Sequence, residues 1–370
     1  MLALPPPVLT APAAREVSFG RVAGTAPSGT RRIVVRVGGK VVASRGLRGR
    51  SFDFHVDLPA RDVRVRVTAI SRGRTSSTEV SPVFGLPRAA SPRAASPWLD
   101  VALSARVRSL AAGFGSTSAV YVEDLSTGAG AATNARARFP AASTLKLAIA
   151  VEALRVHAGK PLPGSRLDGL LYAMLVRSDN DAANAIETYF GGSTSGGSAR
   201  VNELMRSLGL NDSEMFGGYA RTLAARRRPI PVQVDSQPYF GRGKYASAWD
   251  LARLARYVHQ AAGGKGPLAT RHRGAFTPSD ARYLLYLLAH VSDAGKLDRF
   301  LGPSATLLHK GGWLANSRHD NGLVYWPGGV FVVAVLTWRP GGVGVASDVL
   351  AGKVAAAALA RFRERPSPRR

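Results

Sequence analysis

The sequence contains no cysteine, so neither disulfides nor a thiolate metal site is available to it. Acid is scarce as well: 24 aspartates and glutamates face 50 lysines and arginines, a formal net charge of +26 in 370 residues. Such a surplus suits attraction to a polyanion (an acidic cell-wall polymer, an anionic lipid, a nucleic acid) and equally suits a solvated arginine-rich surface. Nucleic acid is the weakest of these partners, because no basic patch with interleaved aromatics and no nucleic-acid motif is present. Long apolar runs are missing too; stretches such as 330–338 are far too short to span a membrane. Lysine itself is rare, supplying eight of the fifty cations, at positions 40, 146, 160, 244, 265, 296, 310 and 353. Arginine stays protonated under ordinary conditions, whereas a partly buried lysine can lose its proton and act as a base.

What is present divides the chain. Residues 1–16 hold an A-x-A-like run but no basic start and four prolines, and read as a degenerate export signal. From 17 to 86 the apolar pattern has period two, with IVVRV (33–37), FDFHVDL (52–58) and VRVRVTAI (63–70) separated by turn residues. Short strands at this spacing predict a small all-β, Ig-like sandwich. The duplicated PRAAS of 87–97 reads as a semi-extended linker. Residues 98–363 then alternate between periods: a helix near 98–112, a strand at 118–125, a helical middle, strands near 305–313, 320–326 and 330–338, and a helix at 345–362. Strands at both ends around a helical centre predict an α/β (α+β) domain, an antiparallel sheet with helices on both faces plus an all-helical part. Residues 364–370 form a basic tail.

Three short stretches in that second domain carry chemistry. In FPAASTLKLAIAVEAL (139–154), Ser143 stands where a helix should begin and Lys146 lies three positions on. Serine is a common helix cap, which is one reading. The other is that i and i+3 share a helix face, so the Lys146 amine lies over the Ser143 hydroxyl as a base beside its nucleophile. Ser178-Asp179-Asn180 falls between two helical segments, where a loop can aim a hydroxyl and an amide into a cleft or merely cap the next helix. HKGGW (309–313) puts Lys310 and two glycines on a strand, which lets another backbone approach closely. Each stretch is unremarkable alone.

In this order and context, the three resemble the motif set of the penicillin-recognising serine enzymes, class A β-lactamases and penicillin-binding D,D-peptidases. The resemblance covers essentially all of 98–363. It implies Ser143 as the nucleophile that becomes acylated, Lys146 as its base, and Ser178 as the proton relay to the departing nitrogen. It implies further that Lys310 supports Ser178 and attracts the substrate carboxylate. Asn180 would hold the substrate side chain, Gly312 and Trp313 would line the substrate strand, and the backbone N–H groups of Ser143 and Trp313 would form the oxyanion hole. Asp179 would brace its loop, and Arg318 or His319 would add a carboxylate contact. No cofactor or metal is implied. The implied partner is a β-lactam or a D-alanyl peptide, with an extracytoplasmic place of action. The rival readings are a non-catalytic peptidoglycan-binding module and a basic wall-adhesion protein.

Three departures from the family pattern qualify the activity. Gly311 replaces the usual threonine or serine, removing a hydroxyl contact worth ~1–2 kcal/mol of binding. The stretch from Ser143 to Ser178 is short, which predicts a more open cleft. The deacylating glutamate of class A enzymes is expected near Tyr219, where no acid stands. Glu214 and Asp235 are the nearest carboxylates, in or beside a basic loop (221–243) carrying Arg226, Arg227 and Arg228. Without a placed base, acylation proceeds while hydrolysis stalls.

Overall fold

The computed structural model describes residues 4–219 and 228–364. Two compact units divide the chain between Ser91 and Pro92.

The first unit is all β. Its strands are β1 (Val8–Ala11), β2 (Glu16–Ser18), β3 (Arg21–Thr25), β4 (Arg32–Val37), β5 (Lys40–Gly46), β6 (Ser51–His55), β7 (Asp62–Ser71) and β8 (Arg74–Gly85). They form sheets of order β1-β3-β6 and β2-β8-β7-β4-β5. Both sheets contribute to one core, with Val22, Phe52 and Phe54 from the first and Ile33, Val35, Val65 and Val67 from the second. The period-two reading holds over 62–67 of β7, where the valines are buried while Arg64 and Arg66 stay outside and pair with Glu79; from Thr68 onward the alternation stops. The N-terminal segment departs from expectation. Residues 8–11 are a strand paired to β3, and the Pro5 and Pro7 carbonyls accept from Ser76 and Thr78. Prolines, lacking N–H donors, are tolerated at such a sheet edge, so they did not exclude a strand. The expected linker also departs: Arg88–Ala90 is a 3₁₀ turn, with Ala90 buried, that belongs to the first unit.

The second unit begins with residues 92–97, whose Arg93 and Ala95 carbonyls are taken by Gln260 and Arg256. Its strands are β9 (Trp98–Leu99), β10 (Thr117–Asp124), β11 (Ala129–Thr133), β12 (Phe139–Pro140), β13 (Tyr245–Ala246), β14 (Thr306–Leu314), β15 (Ser317–Trp326) and β16 (Gly329–Trp338). Its helices are α1 (Val101–Ala112), α2 (Lys146–His157), α3 (Arg166–Val176), α4 (Asn180–Gly191), α5 (Thr194–Ser207), α6 (Ala248–Ala261), α7 (Gly266–Arg271), α8 (Pro278–Leu288) and α9 (Val345–Arg363). The main sheet runs β14-β15-β16-β10-β11-β9, antiparallel except for the β11–β9 pair. Residues 98–99 therefore join the sheet, and the first helix starts only after Asp100, whose carboxylate accepts from Leu103 N.

Side chains alternate across this sheet. Val120 and Val122 of β10 pack with Leu103, Val107, Val354 and Phe362 of α1 and α9. Tyr121 and Glu123 of the same strand meet Trp249 and Arg256 of α6 on the opposite face. Helices thus cover both faces, as the sequence pattern predicts. Helix α2 is buried over every residue from Lys146 to Leu154. A helix apolar all round belongs in an interior, so a lysine at its first position enters the protein with it.

Candidate active site

Phe139 and Pro140 pair with β13, and Phe139 packs on Phe240 at 4.6 Å between ring centroids. The chain then turns through Ala142, a non-glycine residue held at φ +48°, which places Ser143 in a turn ahead of α2. Such backbone is sparsely populated and persists only where the surroundings fix it. Ser143 is not the helix cap: that position is Leu145, with no side-chain cap bond. The Ser143 hydroxyl makes no hydrogen bond among the described residues, and Ser143 lines a cavity of about 310 Å³.

Lys146 is fully buried. Its Nζ donates to Ser178 O at 2.5 Å and Asn180 Oδ1 at 2.7 Å, and lies 3.5 Å from Ser178 Oγ. The direct bond to Ser143 expected from the i, i+3 spacing is not among its contacts. Ser143 precedes the helix, and the loop at 178–180 offers the amine better acceptors. That loop is itself constrained: Ser178 sits at φ +59°, and Asp179 caps α4 by accepting from Ala182 N at 2.7 Å. Lys310 Nζ approaches from β14, donating to Ser178 Oγ at 2.9 Å and Gly311 O at 3.0 Å. Asn321 Nδ2 fixes the Lys310 carbonyl at 2.7 Å. The Ser178 hydroxyl therefore lies between two ammonium groups contributed by different elements.

Burial acts strongly on both lysines. Desolvation, followed by the charge of Lys310, brings Lys146 down to about 7 from the ordinary lysine value, with Asp179 opposing. Desolvation also lowers Lys310, to about 8, against the pull of Asp293 and Asp320. Near neutrality, Lys146 is thus divided between its acid and base forms, and Lys310 stays mostly charged. An arginine could not reach that state.

Strand β14 is the sheet's edge, so its outer side has no neighbouring strand to occupy it. Gly312 faces the nucleophile turn: a Cβ there would lie 2.7 Å from Ser143 N and 3.0 Å from the Ala142 Cβ. Only glycine lets β14 pass so close. Gly311 has a different reason. A Cβ at 311 would meet Asp293 Oδ2 at 2.8 Å and Lys296 Nζ at 3.1 Å, so the Asp293–Lys296 ion pair fills the place of the missing hydroxyl. Trp313 is exposed and walls the cavity with Leu314.

Four expected residues do not line this cavity. Arg318 is bound by Asp348 at 2.6 and 2.9 Å, a bidentate pair at the start of α9 that occupies its guanidinium. His319 is buried; its Nε2 donates to Pro140 O at 2.7 Å and its Nδ1 accepts from Thr337 N, so it is neutral and braces the nucleophile turn. Glu214 accepts from Tyr245 Oη at 2.9 Å and faces an adjoining cleft. Asp235 is exposed and does not line the cavity. Arg226 and Arg227 lie outside the described residues.

Two further residues complete the site: Tyr219, named in the sequence only as the place of a missing acid, and Lys244, not named as a site residue at all. Tyr219 lines the cavity, with Lys146 Nζ at 4.7 Å and Lys244 Nζ at 4.4 Å from its ring centroid. Its hydroxyl is buried without a partner among the described residues. Lys244, just before β13, donates to Gly218 O. Its rarity as a lysine was the only available signal. No aspartate or glutamate lines the cavity among the described residues.

A nucleophile turn, a two-lysine relay and a glycine-bearing edge strand define a serine hydrolase of the β-lactamase type. The sequence bears this out: residues 102–162 and 159–362 match the model of the beta-lactamase enzyme family. The chain belongs to that family. The match lies wholly within the second unit. Among solved structures, the fold resembles PBP-A, at 20% identity and a TM-score of 0.58 over 73% of this chain and 99% of that one. A mutant of PBP-A, solved as an acyl-enzyme complex with penicillin G, gives 21% and 0.55 over 73% and 99%. The β-lactamase of Sphaerobacter thermophilus gives 22% and 0.55 over 72% and 99%. No curated protein sequence matches the chain.

Proposed function

We propose that the protein opens β-lactams by acyl transfer to Ser143 and releases the product slowly. The observation that carries this reading is a fully buried Lys146, brought to about 7 and bonded to Asn180, which lines the same cavity as the unengaged Ser143 hydroxyl. The neutral amine takes the Ser143 proton as Oγ bonds to the lactam carbonyl carbon. The developing oxyanion is held by the N–H groups of Ser143 and Trp313. As the C–N bond breaks, Ser178 gives its proton to the departing nitrogen and recovers one from Lys146 across 3.5 Å. The net change is one proton moved from Ser143 to nitrogen, and Lys146 ends neutral. Lys310 keeps Ser178 oriented and faces the substrate carboxylate, with Asn180 on the acyl side.

Hydrolysis of the ester needs a second base. With Tyr219 where a carboxylate would be needed, the acyl group outlasts its formation. The same chemistry serves a D-alanyl peptide, so a D,D-peptidase-like exchange is the neighbouring reading. Substrates of either kind imply an extracytoplasmic place of action.

Intact-protein mass spectrometry with benzylpenicillin tests the proposal. The expected spectrum shows the mass of one whole penicillin added, because ring opening loses no atoms, and no addition on Ser143→Ala. An unmodified protein at every penicillin concentration overturns it.

A further inference from the structure

The cavity is lined by positive charge that the chemistry does not use. Lys146 and Lys310 serve the nucleophile and its relay. The cavity lining includes 216–219 and 242–244, and with them Arg242 and Lys244. Beyond Phe216 and Gly217 the cavity adjoins a cleft of about 590 Å³, and Arg242 lines both spaces. That cleft adds Arg206 and Arg228 and, among the described residues, a single acid, Glu214, which already accepts from Tyr245 and lies 3.6 Å from Arg228. Lys244 lies by the Tyr219 ring, which also takes the Lys146 amine bonded to Asn180 Oδ1, so it stands near Asn180, on the side where the acyl portion of a substrate lies once its carbonyl carbon is on Ser143.

We infer that the site selects acyl donors carrying a second carboxylate on the acyl side of the scissile bond, read by Arg242 and Lys244. This rests on the acyl-transfer reading above and names its substrate class. An anion entering from solvent meets Arg242 and Lys244 and no carboxylate among the described lining residues of the catalytic cavity. Arg242 presents a planar fork suited to a carboxylate, and Lys244 a point charge anchored by the Gly218 carbonyl beside the Tyr219 ring. An acidic β-lactam and an acidic D-alanyl peptide share this chemistry.

The test compares probes differing in one carboxylate. Acylation rate constants are measured for carbenicillin and benzylpenicillin, which differ by a side-chain carboxylate, with wild type, Arg242→Gln and Lys244→Gln. The wild type is expected to prefer carbenicillin by about fivefold or more, the size of one partly screened charge-assisted contact. That preference should shrink toward one in either variant and at high salt. Using the ratio within each protein cancels any general loss from the substitution, and Arg242, being exposed, can be replaced without disturbing the core. Equal rates for the two penicillins in wild type, or a preference unchanged in both variants, overturns the inference while leaving acyl transfer intact. No acylation by either penicillin overturns acyl transfer instead. D-alanyl-D-alanine peptides bearing glutamate or glutamine, run in parallel, show by which pair is discriminated whether peptide or β-lactam is the source of the anion.

Discussion

Lys146→Met is expected to slow acylation of Ser143 by about a thousandfold, within the range that a positioned general base contributes. Methionine matches the length of the lysine stem and fills the same buried volume. What it removes is the group that accepts the Ser143 proton. It also strips the charge from a fully buried site, which offsets the loss of the bonds to Ser178 O and Asn180 Oδ1. The circular dichroism spectrum should therefore be retained while the penicillin adduct forms only over long incubation. A variant acylated at the wild-type rate would show that Lys146 is a structural brace for the loop at 178–180.

Tyr219→Glu is expected to shorten the life of the acyl-enzyme by about a hundredfold, the lower end of general-base contributions. The tyrosine ring already lies between the amines of Lys146 and Lys244. Its backbone N–H is held by Asn184 Oδ1 at 2.6 Å, so the position is fixed before the substitution. A glutamate there gains two cations that keep it ionised, and it relieves the cavity wall of a buried hydroxyl without a partner among the described residues. It gives water a base next to Ser143. The same negative charge raises the Lys146 affinity for protons, so the pH at which acylation sets in should move upward. The measurement is the decay of the adduct after excess penicillin is removed. An unchanged lifetime would place the missing function elsewhere than at 219.

Much of this was legible in the sequence, for reasons particular residues make plain. Ser143, Ser178 and Asn180 were readable because each sits at a junction of periodic segments, where local pattern reveals an element's end, and Lys310 because it precedes two glycines on a strand. Gly312 was readable because two successive glycines in an otherwise apolar strand demand close backbone approach. The direction of the Lys146 amine was not legible: the i, i+3 rule presumes both residues are helical, and Ala142 turns the chain before the helix begins. The partner of Arg318 was not legible, because Asp348 lies thirty positions later and belongs to α9. Gly311 read as a lost hydroxyl, since nothing local announces that Asp293 and Lys296 occupy its space. Tyr219 and Lys244 come from separated segments with no shared motif. Residues 8–11 were hidden by prolines that an edge strand accommodates.

The most direct measurement of the central claim is the pH dependence of the acylation rate constant of wild type, with Lys146→Met beside it. Lys146 must be neutral and Lys310 charged, and their values of about 7 and about 8 bound a narrow optimum. The rate is predicted to rise as pH climbs through about 7 and to fall above about 8, the two limbs belonging to the pair rather than to either lysine alone. In Lys146→Met the rising limb should vanish. A flat profile from acid to alkaline pH in wild type, or the same rising limb in the variant, would contradict it.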